Sequence, residues 1–205
     1  LILLRFSFHI LATHLLLMKI SLYTLLFVIG SLLSSCGGDT LPKPKGGLRL
    51  DYTPAVYTPV TQLPNCPFSF EANSLSEVKY QAHDCDINIE YPAMHATIYL
   101  TYKPVEGNLK KLLKDAQKFT YEHTIKADNI ASTVFANDST HVYGMFYQVY
   151  GNAASQSQFY ATDSLRHFIS GSIYFKAVPN YDSIQPASAY IEKDIRKIME
   201  SLQWK

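Results

Sequence analysis

Apolar and polar residues change rhythm several times along this chain, and each rhythm names an element. From Ile20 to Leu33 the residues are almost all apolar and none is charged. From Gly37 to Gly47 the sequence is rich in Gly, Pro and Lys. Beyond that, alternation of period two predicts half-buried strands, and recurrence at three and four residues predicts amphipathic helices. Leu48–Tyr52 reads as a short strand. Residues 53–67 carry Pro54, Pro59, Pro64 and Pro67 and read as an irregular surface segment. Phe68-Ser69-Phe70 and Glu77–Tyr80 read as short strands. Ile87–Tyr91 and Ala96–Tyr102 alternate strongly around the break at Pro92–Met94, which predicts a hairpin. After Asn108, a plausible N-cap, Leu109, Leu112, Leu113, Ala116, Phe119 and Thr120 recur at helical spacing, with Lys110, Lys111, Lys114, Asp115 and Lys118 on the other side. Four segments rich in Tyr, Phe, Val and Ile follow: Ile130–Ala136, His141–Tyr150, Gln156–Thr162 and His167–Lys176. Turn-forming pairs at Asn137-Asp138, Gly151-Asn152 and Asp163-Ser164 join them, which predicts an antiparallel meander. Pro179–Ser183 reads as a turn before a final helix. Its apolar face is Ile184, Ala187, Ile191, Ile195, Ile198, Met199 and Leu202, with Pro186 tolerated in the first turn. Trp204, just past that face, predicts that the chain end is tied down.

Strands, helix, strands, helix is the order of an α+β domain: a mainly antiparallel sheet with two long helices packed on it. Such a helix-covered sheet is similar to the Mog1/PsbP arrangement, an analogy of architecture that carries no function.

The first 35 residues read as a leader. An uncharged run of 14 residues preceded by Met18-Lys19 has the shape of a signal peptide. It is shorter than the roughly 20 residues a spanning helix needs. Leu33-Ser34-Ser35-Cys36 matches the pattern cut by a lipoprotein signal peptidase, so Cys36 is the expected site of lipidation by acyl chains such as palmitate. The alternative is one long anchor over residues 1–35, against which Lys19 and the abrupt Ser-Ser-Cys-Gly-Gly end both argue. Position 1 is Leu, and the expected start of translation is Met18. Residues 36–47 then form a lipidated flexible linker, and 48–205 a single globular domain. Gly37 after the lipid cysteine points to the outer membrane, and the sparse acid behind it, Asp39 alone, points to the periplasmic face.

Charge narrows the partners. Setting aside Arg5 and Lys19 leaves 16 basic against 17 acidic residues from Cys36 onward. Nucleic-acid binding relies on clustered cations, so no nucleic-acid partner is expected. Cys66 and Cys85 are read as a disulfide, as suits an exported domain. A metal or redox pair is the alternative, for which His83 is the only nearby further ligand. The remaining histidines after Cys36, namely His95, His123, His141 and His167, have no ligating spacing. No metal and no cofactor are expected.

The small, amide-rich and hydroxyl-rich stretch Gly151–Gln158 is the most tempting site. Ser155 and Ser157 lack a His or Asp at a suggestive spacing, and the join runs strand to strand rather than strand to helix, unlike a phosphate-cradling loop. A structural turn capped by Asn152 is one reading. A protein-contact patch of Tyr143, Tyr147, Asn152, Gln156 and Gln158 is another. No catalytic residue is expected, and the alternative is an enzyme or ligand binder with a cleft near residues 144–160.

Long runs carry a family resemblance. LPKPKG at 41–46 and LRLDY at 48–52 open it. INIEYP at 87–92, ATIYLTYKPV at 96–105 and IKAD at 125–128 continue it. YGMFYQVYGNAASQSQFYATDS at 143–164, HFISGSIYF at 167–175 and PNYDSIQPA at 179–187 carry most of it. With these the chain resembles the gliding-motility lipoprotein GldD family of Bacteroidetes over nearly all of residues 36–205. Residues 1–17, 53–64 and 72–81 depart from the pattern. The resemblance implies a non-enzymatic, lipid-anchored cell-envelope protein needed for gliding. It also implies support of type IX protein secretion, with the gliding and secretion machinery as partners.

Overall fold

A computed structural model describes residues 18–22, 24, 52–61, 63, 65–80, 85–122, 126–176 and 180–205. The chain divides into two units, Leu1–Gly46 and Gly47–Lys205. In the first, Met18–Leu22 and Thr24 are helical. The expected lipidation site Cys36, the linker and most of the Leu48–Tyr52 strand lie outside the described residues. Among the described residues no helix is long and apolar enough to cross a membrane. The second unit holds the sheets and the two long helices.

Its strands are β1 (Tyr57–Pro59), β2 (Phe68–Ser69), β3 (Glu71–Asn73), β4 (Glu77–Tyr80), β5 (Ile87–Tyr91), β6 (Ala96–Pro104), β7 (Ala127–Asn137), β8 (Val142–Gly151), β9 (Ser157–Thr162), β10 (His167–Phe175) and β11 (Gln203–Trp204). Its helices are α1 (Leu109–Glu122) and α2 (Tyr181–Ser201). Seven strands form one antiparallel sheet in the order β4-β5-β6-β10-β9-β8-β7. The four-strand meander and the β5–β6 hairpin, which turns through a single 3-10 turn at Pro92–Met94, stand as the sequence predicts. The fold class is α+β with a mainly antiparallel sheet.

Alternation decides what each face of the sheet meets. Ile98 and Leu100 of β6, Ile169 and Ile173 of β10, and Phe159 of β9 point to one side, together with Ile87 and Ile89 of β5. There they join Ile191, Ile195, Ile198 and Met199 of α2 in the main core. Burying each such side chain contributes on the order of 1.5–3 kcal/mol. Gly171 leaves the room this packing needs: a Cβ there would run into the Phe159 ring and Leu100. On the opposite face α1 lays Leu109, Leu112, Leu113 and Ala116 against Tyr147, Tyr160 and Phe168. α1 is amphipathic as expected, with one exception: Phe119, read as part of its apolar face, is 64% exposed. Asn108 also differs from its expected role. Its Oδ1 accepts from the Glu106 N–H at 3.0 Å, on the side away from the helix, while its carbonyl accepts from Lys111 and Leu112.

Two local readings change. Residues 57–59, inside the Pro-rich segment, form β1 and pair with β3. Pro59 is accommodated because the bonds to the partner strand come from its neighbours, Val60 donating to the Phe70 carbonyl and Val56 accepting from Ser74, so the missing N–H falls on the unpaired side of β1. α2 begins at Tyr181, three residues earlier than its apolar face suggests, so Pro186 falls in the second turn. Here Asn180 closes the first turn with its carbonyl, accepting from Ser183 and Ile184. Finally, the chain end is held as expected, by a device the sequence does not announce: β11 pairs with β2, and the Trp204 ring stacks on His167 with centroids 5.2 Å apart.

Cys66 and Cys85 are joined in a disulfide, with Cα atoms 5.6 Å apart and both residues buried. The bridge closes the stretch containing β2, β3 and β4. A second tie is polar. Asp194 of α2 is 2% exposed and accepts three hydrogen bonds: from Tyr57 Oη (2.6 Å), Asn73 Nδ2 (2.9 Å) and Tyr91 Oη (2.9 Å). Burial and the adjoining carboxylate both push the Tyr57 and Tyr91 phenols well above their usual range, so each stays a donor. Tyr190 Oη accepts from Asn73 Nδ2 at 3.0 Å and donates to the Thr53 carbonyl at 3.0 Å. This network fastens β1, β3 and β5 to the helix.

Candidate functional site

The outer face of the sheet is only partly covered. α1 lies over β9 and β10, leaving a cleft of about 440 Å³ between itself and the strands β6, β10, β9 and β8. Small-molecule sites enclose roughly 300–1,000 Å³. Strand alternation furnishes this cleft from below: Tyr99, Thr101 and Lys103 from β6, and Phe168, Ser170, Ser172 and Tyr174 from β10. β9 adds Gln158 and Tyr160, and β8 adds Tyr147. The helix supplies Leu112, Asp115, Ala116, Phe119 and Thr120.

The aromatic groups are ordered in pairs. Tyr99 and Tyr174 meet edge to face with centroids 5.8 Å apart, and Tyr160 stacks on Phe168 at 5.7 Å. Burial raises the Tyr160 phenol, and burial with the neighbouring Tyr99 raises that of Tyr174. Tyr147 is pushed up to about 12, by burial first and then by Tyr160 and Tyr121. These phenols therefore remain protonated at neutral pH, each able to donate and accept. Gln158 is 4% exposed; its Oε1 accepts from Thr120 Oγ1 at 2.9 Å, and its Nε2 is buried with no hydrogen-bond partner among the described residues. A buried amide left half satisfied is uncommon in folded proteins.

The five residues read from the sequence as one contact patch do not share a surface. Tyr147 and Gln158 are cross-strand neighbours and both line the cleft, but both are buried, so neither can read a partner from an open face. Gln156 is also buried, and its Nε2 donates to the Ala153 carbonyl at 2.8 Å, inside its own turn. Asn152 is exposed and its Oδ1 accepts the Tyr181 N–H at 2.8 Å, at the start of α2. Tyr143 stands apart, lining an open groove of about 710 Å³ with Arg166 and Trp204. Alternation and burial divide this set, which chain proximity had grouped. Residues 151–156 form the structural turn that was the other reading: Gly151 takes φ +100°, Asn152 closes a backbone group, and Ser155 Oγ donates to the Ser157 carbonyl at 3.2 Å.

The cleft residues that the sequence reading missed had left a signal. In β6 and β10 one face alternates small hydroxyls with aromatics, Tyr99-x-Thr101 and Phe168-x-Ser170-x-Ser172-x-Tyr174. An outer face meant only for water carries more charge than that. The join after β9 contains a carboxylate with a plain structural purpose. Asp163 Oδ1 accepts from the backbone N–H groups of Leu165, Arg166 and His167 at 2.8–3.0 Å. Burial would raise its carboxyl, but these three donors outweigh that and hold it below the usual range. Among the described residues no group of three or more His, Cys, Asp or Glu could hold a metal ion.

The two edges of the sheet differ. β4 is short and carries Lys79, which bridges Glu90 at 2.6 Å and Glu77 at 3.8 Å. β7 is 11 residues long, has neither Lys nor Pro, and presents Val134 at 73% exposure. Its outer side pairs with no strand among the described residues. Charge, bulges and brevity protect an edge from pairing with other chains; β7 has one charge, Asp128, at a β-bulge by its start, and beyond it a long neutral edge that invites pairing.

The family model described as gliding motility lipoprotein GldD matches residues 37–204. No curated protein matches the chain.

Proposed function

Because the chain belongs to the gliding motility lipoprotein GldD family, which ties it to gliding motility and to the cell envelope, we propose that it is a non-enzymatic component of the gliding and type IX secretion apparatus, acting through protein–protein contacts. Lipid on Cys36 holds it at the periplasmic face of the outer membrane. The match to the family model, beginning at the residue after that cysteine, is the observation that carries this reading. The edge of β7 supports it further, as the surface for an extended segment of an envelope protein that adds a strand to the sheet. Main-chain hydrogen bonds would supply the affinity, and Val134 with its same-face neighbours Ser132 and Ile130 would supply the side-chain contacts.

Complementation of a deletion strain tests this. Cys36→Ser is expected to release the protein from envelope membranes and abolish gliding. Val134→Lys keeps the protein folded and membrane-bound but reduces recovery of its cross-linked envelope partner about tenfold, the equivalent of losing one well-formed anchor. Wild-type gliding and wild-type partner recovery in both variants would sink the proposal.

A further inference from the structure

We propose that the cleft between α1 and the outer face of the sheet binds a neutral saccharide, presented as a sugar residue of an envelope glycan. This goes beyond the partner-binding role of β7, which lies on a different strand from those that floor the cleft.

The chemistry of the walls selects the ligand. The floor offers half-buried hydroxyls at Thr101, Ser170 and Ser172, each of which donates and accepts. Beside them on the same strands and on β9 are the aromatic pairs, Tyr99 with Tyr174 and Tyr160 with Phe168, and the exposed Tyr99 offers a ring that suits the C–H face of a pyranose. A sugar is the common small molecule that carries both surfaces at once. Gln158 adds the decisive group. One end of its buried amide is engaged by Thr120 at 2.9 Å while the other is buried with no partner among the described residues, a place that a sugar hydroxyl, donor and acceptor at once, can fill. An unpaired buried amide group destabilises the folded chain, and such a contact relieves that cost.

Other ligand classes fit less well. An acyl chain would leave Gln158 and the three hydroxyls facing hydrocarbon without partners. An anion would meet Lys103 but also Asp115, and the two exposed charges offset each other. The volume of about 440 Å³ is ample for a small, uncharged ring compound.

The test is isothermal titration of the full-length lipoprotein, solubilised in a detergent with no sugar headgroup. The probes are N,N′-diacetylchitobiose, maltose, hexanoate and inorganic phosphate. Saturable binding of at least one disaccharide is expected, with hexanoate and phosphate silent. Tyr99→Ala, at a position 43% exposed, and Gln158→Leu are each expected to weaken that binding about tenfold or more. If Gln158→Leu does not fold, Tyr99→Ala and Ser172→Ala carry the test. Silence of both disaccharides, preference for hexanoate or phosphate, or disaccharide binding unchanged by Tyr99→Ala would overturn the proposal.

Discussion

Asp194→Ala is expected to lower the unfolding free energy by about 2–4 kcal/mol, the cost of leaving its buried neutral donors without their acceptor. The carboxylate of Asp194 takes donors from three separate strands, and two of those donors, Tyr91 and Asn73, are themselves buried. Truncation leaves the Tyr91 hydroxyl without its acceptor in a buried site, and leaves the Asn73 amide with Tyr190 as its one remaining side-chain acceptor among the described residues. Each orphaned donor costs about 1–3 kcal/mol. Tyr57 is half-exposed and can turn to water, so Tyr57→Phe is expected to cost only about 1 kcal/mol. Asp194→Asn keeps the shape and one acceptor oxygen and falls between the two. Urea unfolding of the three variants checks the order. A loss below about 1 kcal/mol for Asp194→Ala would mean that the tyrosines find other partners, and the tie between β1, β3, β5 and α2 would not be polar.

The disulfide has the other large effect. Cys66 and Cys85 are 19 residues apart, and closing a loop of that size stabilises by about 3 kcal/mol in the chain-entropy account. For a body of this size each kcal/mol shifts Tm by about 2–4 °C, so reduction, or the double variant Cys66→Ala with Cys85→Ala, is expected to lower Tm by about 6–12 °C. The closed loop contains β2, β3 and β4. β2 in turn holds β11, so the C-terminal strand is expected to loosen with it. Thermal melts with and without dithiothreitol measure this directly. An unchanged Tm would show that the core holds this segment without the bridge.

The long elements were legible because their burial follows one local period. β5 alternates cleanly, β6 around Ile98–Leu100 and β10 over Ile169–Tyr174 do so in part, and α2 carries its apolar face at Ile191, Ile195, Ile198 and Met199 with few exceptions. β1 and β11 were hidden because two or three residues cannot display a period, and each exists only through its partner, β3 or β2. The start of α2 was misplaced because Tyr181 and Asp182 are polar-tipped and lie outside the apolar stripe. The site was harder to see for a related reason. The cleft takes residues from four strands whose order in the sheet, β6-β10-β9-β8, is not their order in the chain. Chain proximity therefore grouped Asn152, Gln156 and Gln158, whereas the sheet places Gln158 with Tyr147, Ser170 and Thr120, and sends Asn152 to the start of α2. Phe119 is similar: its spacing assigned it to the buried stripe, yet at that turn of α1 it is Thr120 that faces the sheet, and the Phe119 ring stands exposed at the cleft.

The role of β7 as a docking edge is open to one direct measurement. A photo-reactive residue is placed at Val134 in the living envelope, and a second at Leu75, 45% exposed and far along the sheet order from β7, serves as the control. A discrete adduct from position 134, absent from position 75 and lost when a Pro at Ser132 disrupts the strand, is the expected result. No adduct at 134, or the same adduct from both positions, would contradict the assignment of β7 as the surface where this lipoprotein meets its partner.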